Sequence, residues 1–286
     1  MDNSIFLFIN NLMPLFECEW NKLNGADWSN LLRDRPEFCE NCDFSLFSSG
    51  DWVNLLSAQP DFAEKCKMDA FECRYWAKLV ASQVVFAQRC PFSRFGGSHW
   101  SVVLSAQPAF EKICCWEKLN GKDWASLLVA QPQFANLCQW QLLCGADWAM
   151  LLGARPAFSD YCVWGKLRGE DWATLVIKQP VYLRMCRWEK FNARAWRILL
   201  RGNPKYFEFC PNQELGMNVW CDLVRLRPEL EPLCPWDRFT GAMWGRLLST
   251  HPQYYYRCSW DCLSNKNWTK LLKKQPQLFI FRTDEK

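Results

Sequence analysis

The chain has 286 residues, with 34 basic and 30 acidic side chains for a formal net charge of +4. Half of it is hydrophobic and 22% is charged, which excludes a disordered chain. The length buries a core without staples, and so small a net charge announces neither nucleic acid nor a membrane surface. What needs explaining is 18 Trp and 17 Cys, the latter below the roughly 8–10% of a small disulfide scaffold.

The N-terminal residues 1–11 carry Leu7 and Phe8 at the Leu-Leu phase of the repeat that follows, so they are expected to form a degraded cap. As a targeting signal the run Ile5–Phe16 lacks a basic start and is interrupted by Asn10, Asn11 and Pro14. No segment reaches the roughly 18 apolar residues of a membrane helix, and no membrane is expected.

From Leu12 to Gln275 the sequence reads as eleven units of 24 residues with no insertion or deletion. One Trp ladder runs through Trp28, Trp52, Trp76, Trp100, Trp124, Trp148, Trp172, Trp196, Trp220, Trp244 and Trp268. A Cys ladder runs through Cys18, Cys42, Cys66, Cys90, Cys114, Cys138, Cys162, Cys186, Cys210, Cys234 and Cys258. A second Trp ladder, Trp20, Trp116, Trp140, Trp164, Trp188, Trp236 and Trp260, has Phe44, Met68, Phe92 and Asn212 in its gaps. The two Trp ladders account for all 18 Trp.

Written from its Pro, the unit is Pro-x-Phe-Ala-x-x-Cys-x-Trp-x-x-Leu-x-Gly-x-Asp-Trp-x-x-Leu-Leu-x-x-Gln. The Leu pair falls three and four residues after Trp, one buried helical stripe. Asp27, Asp51, Asp123, Asp147 and Asp171 directly precede that Trp and read as N-caps. Gly25, Gly121, Gly145 and Gly169, two residues earlier, read as left-handed closures of the preceding helix. The Trp helix is expected to end before Pro, and Pro to open the next segment, in which Phe and Cys share a face. Pro91, Pro211 and Pro235 follow the ladder Cys. Pro inside a helix costs about 3 kcal/mol, so in those units at least the segment breaks at Cys. The spacing leaves two helices or three short helical pieces per unit.

Pro276 and Leu278 restart a unit that stops in a polar end, so residues 276–286 read as a C-terminal cap and tail. The expected fold is therefore all-α: one repeat domain over 1–286, an α-solenoid of eleven units with degenerate caps. A leucine-rich-repeat-like solenoid, with units of roughly 20–29 residues, is the competing architecture. Its L-x-x-L-x-L strand and Asn ladder occur at no phase.

The string W-x-x-L-x-G-x-D-W-x-x-L-L-x-x-Q-P-x-F-x-x-x-C resembles short α-helical solenoid repeats, and the Trp-rich repeats of uncharacterised bacterial proteins. The likeness covers nearly the whole chain and carries no catalytic residues to transfer. Val84 departs from it at the Pro phase, Met217 at the Gly phase, and Tyr75, His99, Ala195, Val219 and Met243 at the Asp phase.

The chemistry-bearing residues read mostly as architecture. Packed helices lie about 8–10 Å apart and a disulfide needs Cα atoms within about 7 Å, so the Cys ladder reads as small buried side chains. Unpaired thiols point to a reducing, cytoplasmic compartment. Cys39 and Cys42 form a C-x-x-C, but Cys42 belongs to the ladder and no strand precedes it. Zinc would need four ligands at such spacings, and the chain has two His, His99 at the Asp phase and His251 at the Gln phase. No nucleophile elbow, phosphate loop or dinucleotide fingerprint occurs. No enzyme activity and no cofactor are expected. Asn267-Trp268-Thr269 is a sequon centred on a core Trp and reads as accidental.

Charge carries the functional signal. Lys22, Arg94, Lys118, Lys166, Lys190 and Arg238 stand two residues after the second-Trp phase, either as a solvated edge that pairs with the Asp ladder or as a ridge that a partner tracks. Residues 187–286 hold 17 basic and 10 acidic side chains, net +7; residues 1–186 hold 17 and 20, net −3. Arg194, Arg197, Arg201, Arg225, Arg227, Arg246, Lys270, Lys273 and Lys274 concentrate the positive end and form the candidate partner surface. The expectation is a monomeric, non-enzymatic scaffold for an acidic protein or peptide. A helical-repeat nucleic-acid reader is the alternative, disfavoured by the acidic first two-thirds, and a cryptic enzyme site is the third.

Overall fold

The computed structural model describes residues 20–210 and 215–282. Among them every regular element is helical and no strand occurs, which decides for the α-solenoid over the leucine-rich alternative. The chain forms two compact units, residues 1–143 and residues 144–286. The expected N-terminal cap, Cys18, Pro211 and Asn212 lie outside the described residues.

Repeats that are described throughout have three helical pieces, which settles the choice the spacing left open. The first is an α-helix of ten residues, such as Gly169–Lys178, with one of eight residues at Gly241–Leu248. The second is a six-residue 3₁₀ helix opened by the Pro, such as Pro180–Met185. The third is a three-residue 3₁₀ turn at the second Trp, such as Trp188–Lys190. Among the described residues eleven α-helices recur at this period. The break at Cys occurs in units with and without a following Pro. Cys138 closes its segment with an N–H···O bond to Ala135 at 3.2 Å and then turns extended, at φ −66° and ψ 130°. The eclipsed side chains and poorer hydrogen bonds of a 3₁₀ helix keep such runs short. Val84, in place of Pro, still opens a 3₁₀ helix, Val84–Arg89.

The start of the α-helix differs from the expectation. Gly25, Gly121, Gly145 and Gly169 do not end the preceding segment; each is the first residue of the α-helix. The Asp is not the N-cap but the third helical residue, and its carboxylate reaches back to the N-cap backbone. Asp51 accepts from the Ser48 N–H at 2.8 Å, and Asp171 accepts from that of Arg168 at 2.9 Å. Where the N-cap is Asn24, Ser48 or Asn120, its side chain returns the bond and the capping box is complete. The Gly is required by close approach, not by φ. A Cβ at Gly169 would run into the carbonyl oxygen of Lys190 in the next repeat.

The core is the Trp helix and the rings on it. Trp28, Trp100, Trp124, Trp148, Trp172, Trp196, Trp220 and Trp244 are fully buried, as are the Leu pairs that follow them, such as Leu127 and Leu128. The second-ladder Trp is half-buried and stacks on the first: Trp164 on Trp172, and Trp188 on Trp196, with centroids 5.4 Å apart. Phe44 and Phe92 keep the same stack on Trp52 and Trp100. The aromatic after Pro closes the triad, as Tyr182 does on Trp164. The indole N–H groups of Trp100, Trp124, Trp172 and Trp244 are buried with no acceptor among the described residues. Each such orphan costs about 1–3 kcal/mol, against about 4–6 kcal/mol from burying some 150–250 Å² of indole, so burial wins.

A Gln ladder ties one repeat to the one before. The Nε2 of Gln59, Gln83, Gln107, Gln131, Gln179 and Gln275 donates to the carbonyl 26 residues earlier, at 2.8–3.2 Å. Those carbonyls lie in the last turn of an α-helix or, for Ser249, at its C-cap, where no intrahelical partner remains. At the C-terminal end the 3₁₀ helix Pro276–Phe281 buries Leu278 at the phase that Phe or Tyr holds in most other repeats.

Candidate binding surface

Successive α-helices of the second unit carry the basic residues. Arg194, Arg197 and Arg201 lie on Ala193–Gly202, and Arg225 lies on Met217–Leu226 with Arg227 just after it. Arg246 lies on Gly241–Leu248, and Lys270, Lys273 and Lys274 lie on Asn265–Lys274. These helices pack in order, each on the next. Arg194, Arg197, Arg201, Arg246 and the three lysines are exposed.

Arg227 serves the fold. It stands at the Gln phase and replaces that side chain, donating from Nε to the Arg201 carbonyl at 2.8 Å and from Nη2 to that of Gly202 at 3.1 Å. Three other arginines converge on one residue that charge counting passed over, Asp222. Its carboxylate is buried and meets Arg246 at 2.6 Å, Arg197 at 2.8 Å and Arg225 at 3.6 Å. One carboxylate among three guanidiniums leaves a surplus of two positive charges. The arginines are held in place by it while their outer edges stay in water. The signal was available: Asp222 is the acid in the middle of a basic stretch, at a phase held by Asn30, Asn54 and Ser126 elsewhere.

Next to this cluster is a groove of about 390 Å³ between Gly241–Leu248 and Asn265–Lys274. Ala242, Gly245 and Ser249 form a wall of short side chains, and Lys270, Lys273 and Lys274 face them, with Arg246 and Asn267 also lining it. No acidic residue lines the groove, and none of the three lysines has an acidic partner among the described residues. Arg194 adds to the field around Glu170, whose carboxyl is held below its ordinary value chiefly by a backbone hydrogen bond and then by Asn192.

Two members of the basic ridge bond to backbone carbonyls and not to the Asp ladder. Lys118 donates to the carbonyls of Phe95 at 2.9 Å and Ser93 at 3.3 Å, and Lys190 to those of Leu167 at 2.8 Å and Gly165 at 2.9 Å. These are carbonyls of the preceding repeat, not the Asp ladder. A further ladder was missed. In the second unit Tyr161, Met185, Phe209 and Leu233, each immediately before the ladder Cys, are exposed apolar side chains; Ile113 and Leu137 hold the same phase in the first. A count of exposed-phase hydrophobics at period 24 would have found it.

Nine of the ladder thiols are unsuited to nucleophilic work. Burial pushes Cys42, Cys66, Cys90, Cys114, Cys138, Cys162, Cys186, Cys234 and Cys258 up to about 12, so they stay protonated at neutral pH. A redox C-x-x-C needs the opposite shift. Among the described residues no three His, Cys, Asp or Glu side chains gather as metal ligands. No described helix is long and apolar enough to cross a membrane. His99 accepts from the Gly96 N–H through Nδ1, and His251 meets the Thr250 hydroxyl at 2.9 Å. No protein-family model, curated protein or solved structure matches this chain.

Proposed function

We propose that the chain is a non-enzymatic binding scaffold whose basic face takes an acidic protein or peptide segment. The observation that carries this reading is the surplus of cations over anything the fold uses. Arg197, Arg225 and Arg246 share the single carboxylate of Asp222, and Lys270, Lys273 and Lys274 gather on one helix with none among the described residues. Lys at i, i+3 and i, i+4 repel one another and weaken the free helix, so the fold alone gives no reason to gather them. An acidic partner removes that repulsion and is steered in by it. A helical repeat stack offers an extended surface that suits such a ligand. The absence of disulfides among the described cysteines fits a reducing compartment.

The reading is tested by fluorescence anisotropy with a labelled Glu/Asp-rich peptide at low and high salt. Charge reversal of Lys270, Lys273 and Lys274 to Glu is expected to weaken binding at least about tenfold, and salt to weaken the wild type. Equal binding by the reversed protein would remove the basic face from the account.

A further inference from the structure

We infer that the groove between Gly241–Leu248 and Asn265–Lys274 is a site for a phosphoryl group, carried by the acidic partner as a phosphoserine or phosphothreonine. The inference rests on the scaffold reading and sharpens it.

The groove exists because one wall is cut back. Gly245 stands at the phase where Ala125, Ala149 and Ala173 are buried between helices, and a Cβ added there would meet nothing closer than 3.8 Å. Ala242 and Ser249, a turn to either side, are also short. The volume, about 390 Å³, lies within the roughly 300–1,000 Å³ of small-ligand pockets. The rim is fixed: Ser249 donates to the Arg246 carbonyl at 2.9 Å, and its own carbonyl accepts from Gln275 at 3.2 Å.

The donors suit a tetrahedral dianion better than a carboxylate. Asp222 holds Arg246 at 2.6 Å, so this guanidinium is set before a ligand arrives. Lys270, Lys273 and Lys274 approach from the opposite helix as mobile point charges. Donors on two sides match three phosphoryl oxygens bearing about −1.5 to −2 charge at pH 7; a carboxylate offers two oxygens and one charge. The charge distribution favours a protein carrier over a nucleic acid. Residues 1–186 are net −3, so a long polyanion gains the basic face and little beyond it.

The experiment compares four labelled probes by anisotropy: an acidic peptide with one phosphoserine, the same peptide with Glu there, the same with Ser, and a single-stranded RNA of equal charge. The phosphopeptide is expected to bind at least about tenfold tighter than the Glu peptide. Lys273→Gln removes one donor, and Gly245→Leu fills the groove with no change of charge. Each should erase that margin, bringing the phosphoserine and Glu peptides to equal affinity. Circular dichroism melts of both variants confirm that they fold. Equal binding of the phosphoserine and Glu peptides overturns this inference and leaves the scaffold reading standing. Failure of every acidic peptide sinks both. Tighter binding of the RNA also overturns it and reassigns the face to nucleic acid.

Discussion

The Nδ1 atom of His99 accepts the backbone N–H of Gly96 at 3.0 Å, the bond that Asp123 makes to Asn120 at 3.2 Å. A ring nitrogen with its lone pair free thus does the work of the Asp phase. His99→Ala should cost about 1 kcal/mol by leaving that helix-terminal donor without its cap, and His99→Asp should restore the loss. Urea denaturation followed by Trp fluorescence reads both; an unchanged midpoint for His99→Ala would mean the bond contributes nothing.

The Gln ladder makes a paired prediction. Gln107→Ala removes the bond to the Ala81 carbonyl, 3.1 Å long, and should destabilise by about 1 kcal/mol. His251 stands at the same phase and makes no such bond, meeting Thr250 instead. His251→Gln should therefore raise the denaturation midpoint, by about 0.5–1.5 kcal/mol. A lower midpoint for His251→Gln would show that register, not chemistry, decides which repeat is tied.

Two glycines separate room from collision. Gly245 lies within Gly241–Leu248 with room for a Cβ, which would meet Asn267 at 3.8 Å, so Gly245→Ala should stabilise by about 0.5–1 kcal/mol through helix propensity. Gly169→Ala should destabilise by about 1–3 kcal/mol, because its Cβ meets the Lys190 carbonyl and the repeats must part. Thermal melts of the two variants should move in opposite directions; a shift of the same sign contradicts the close-approach account.

The cysteine ladder sets an alkaline limit. A thiol whose ionisation is pushed from near 9 in the unfolded chain to about 12 in the fold favours the fold only while protonated. That contribution is complete below about pH 9 and is lost as pH rises from there towards 12, since the unfolded state releases its protons first. Urea midpoints should fall steadily above pH 9. Alkylation at pH 8 with peptide mapping should find exposed Cys144 labelled well before Cys138, Cys162 and Cys186. Uniform labelling would show that the ladder is open to solvent.

The period, the buried Trp-Leu-Leu stripe and the break before Pro were legible because each follows from spacing within one repeat. The meaning of Gly and Asp was not. Gly169 is explained by a carbonyl 21 residues away, and the Asp carboxylate by a backbone N–H three residues earlier rather than by the Trp after it. The 3₁₀ character of the Pro segment was equally hidden, since Pro and Phe suit either helix at its start. At the surface, nine basic residues were found by counting, but counting could not sort them. Arg227 is drawn into the backbone by its register, three arginines are gathered by Asp222, and among the described residues Lys270, Lys273 and Lys274 stand with no acidic partner.

The Gln and Lys ladders point one way along the chain: in each tie the donor side chain belongs to the later repeat and the acceptor carbonyl to the earlier one. A repeat leaving the ribosome therefore meets acceptors that are already in place. Through these ties it completes the helix ends of its predecessor on arrival, and each helix end waits only for the repeat synthesised next.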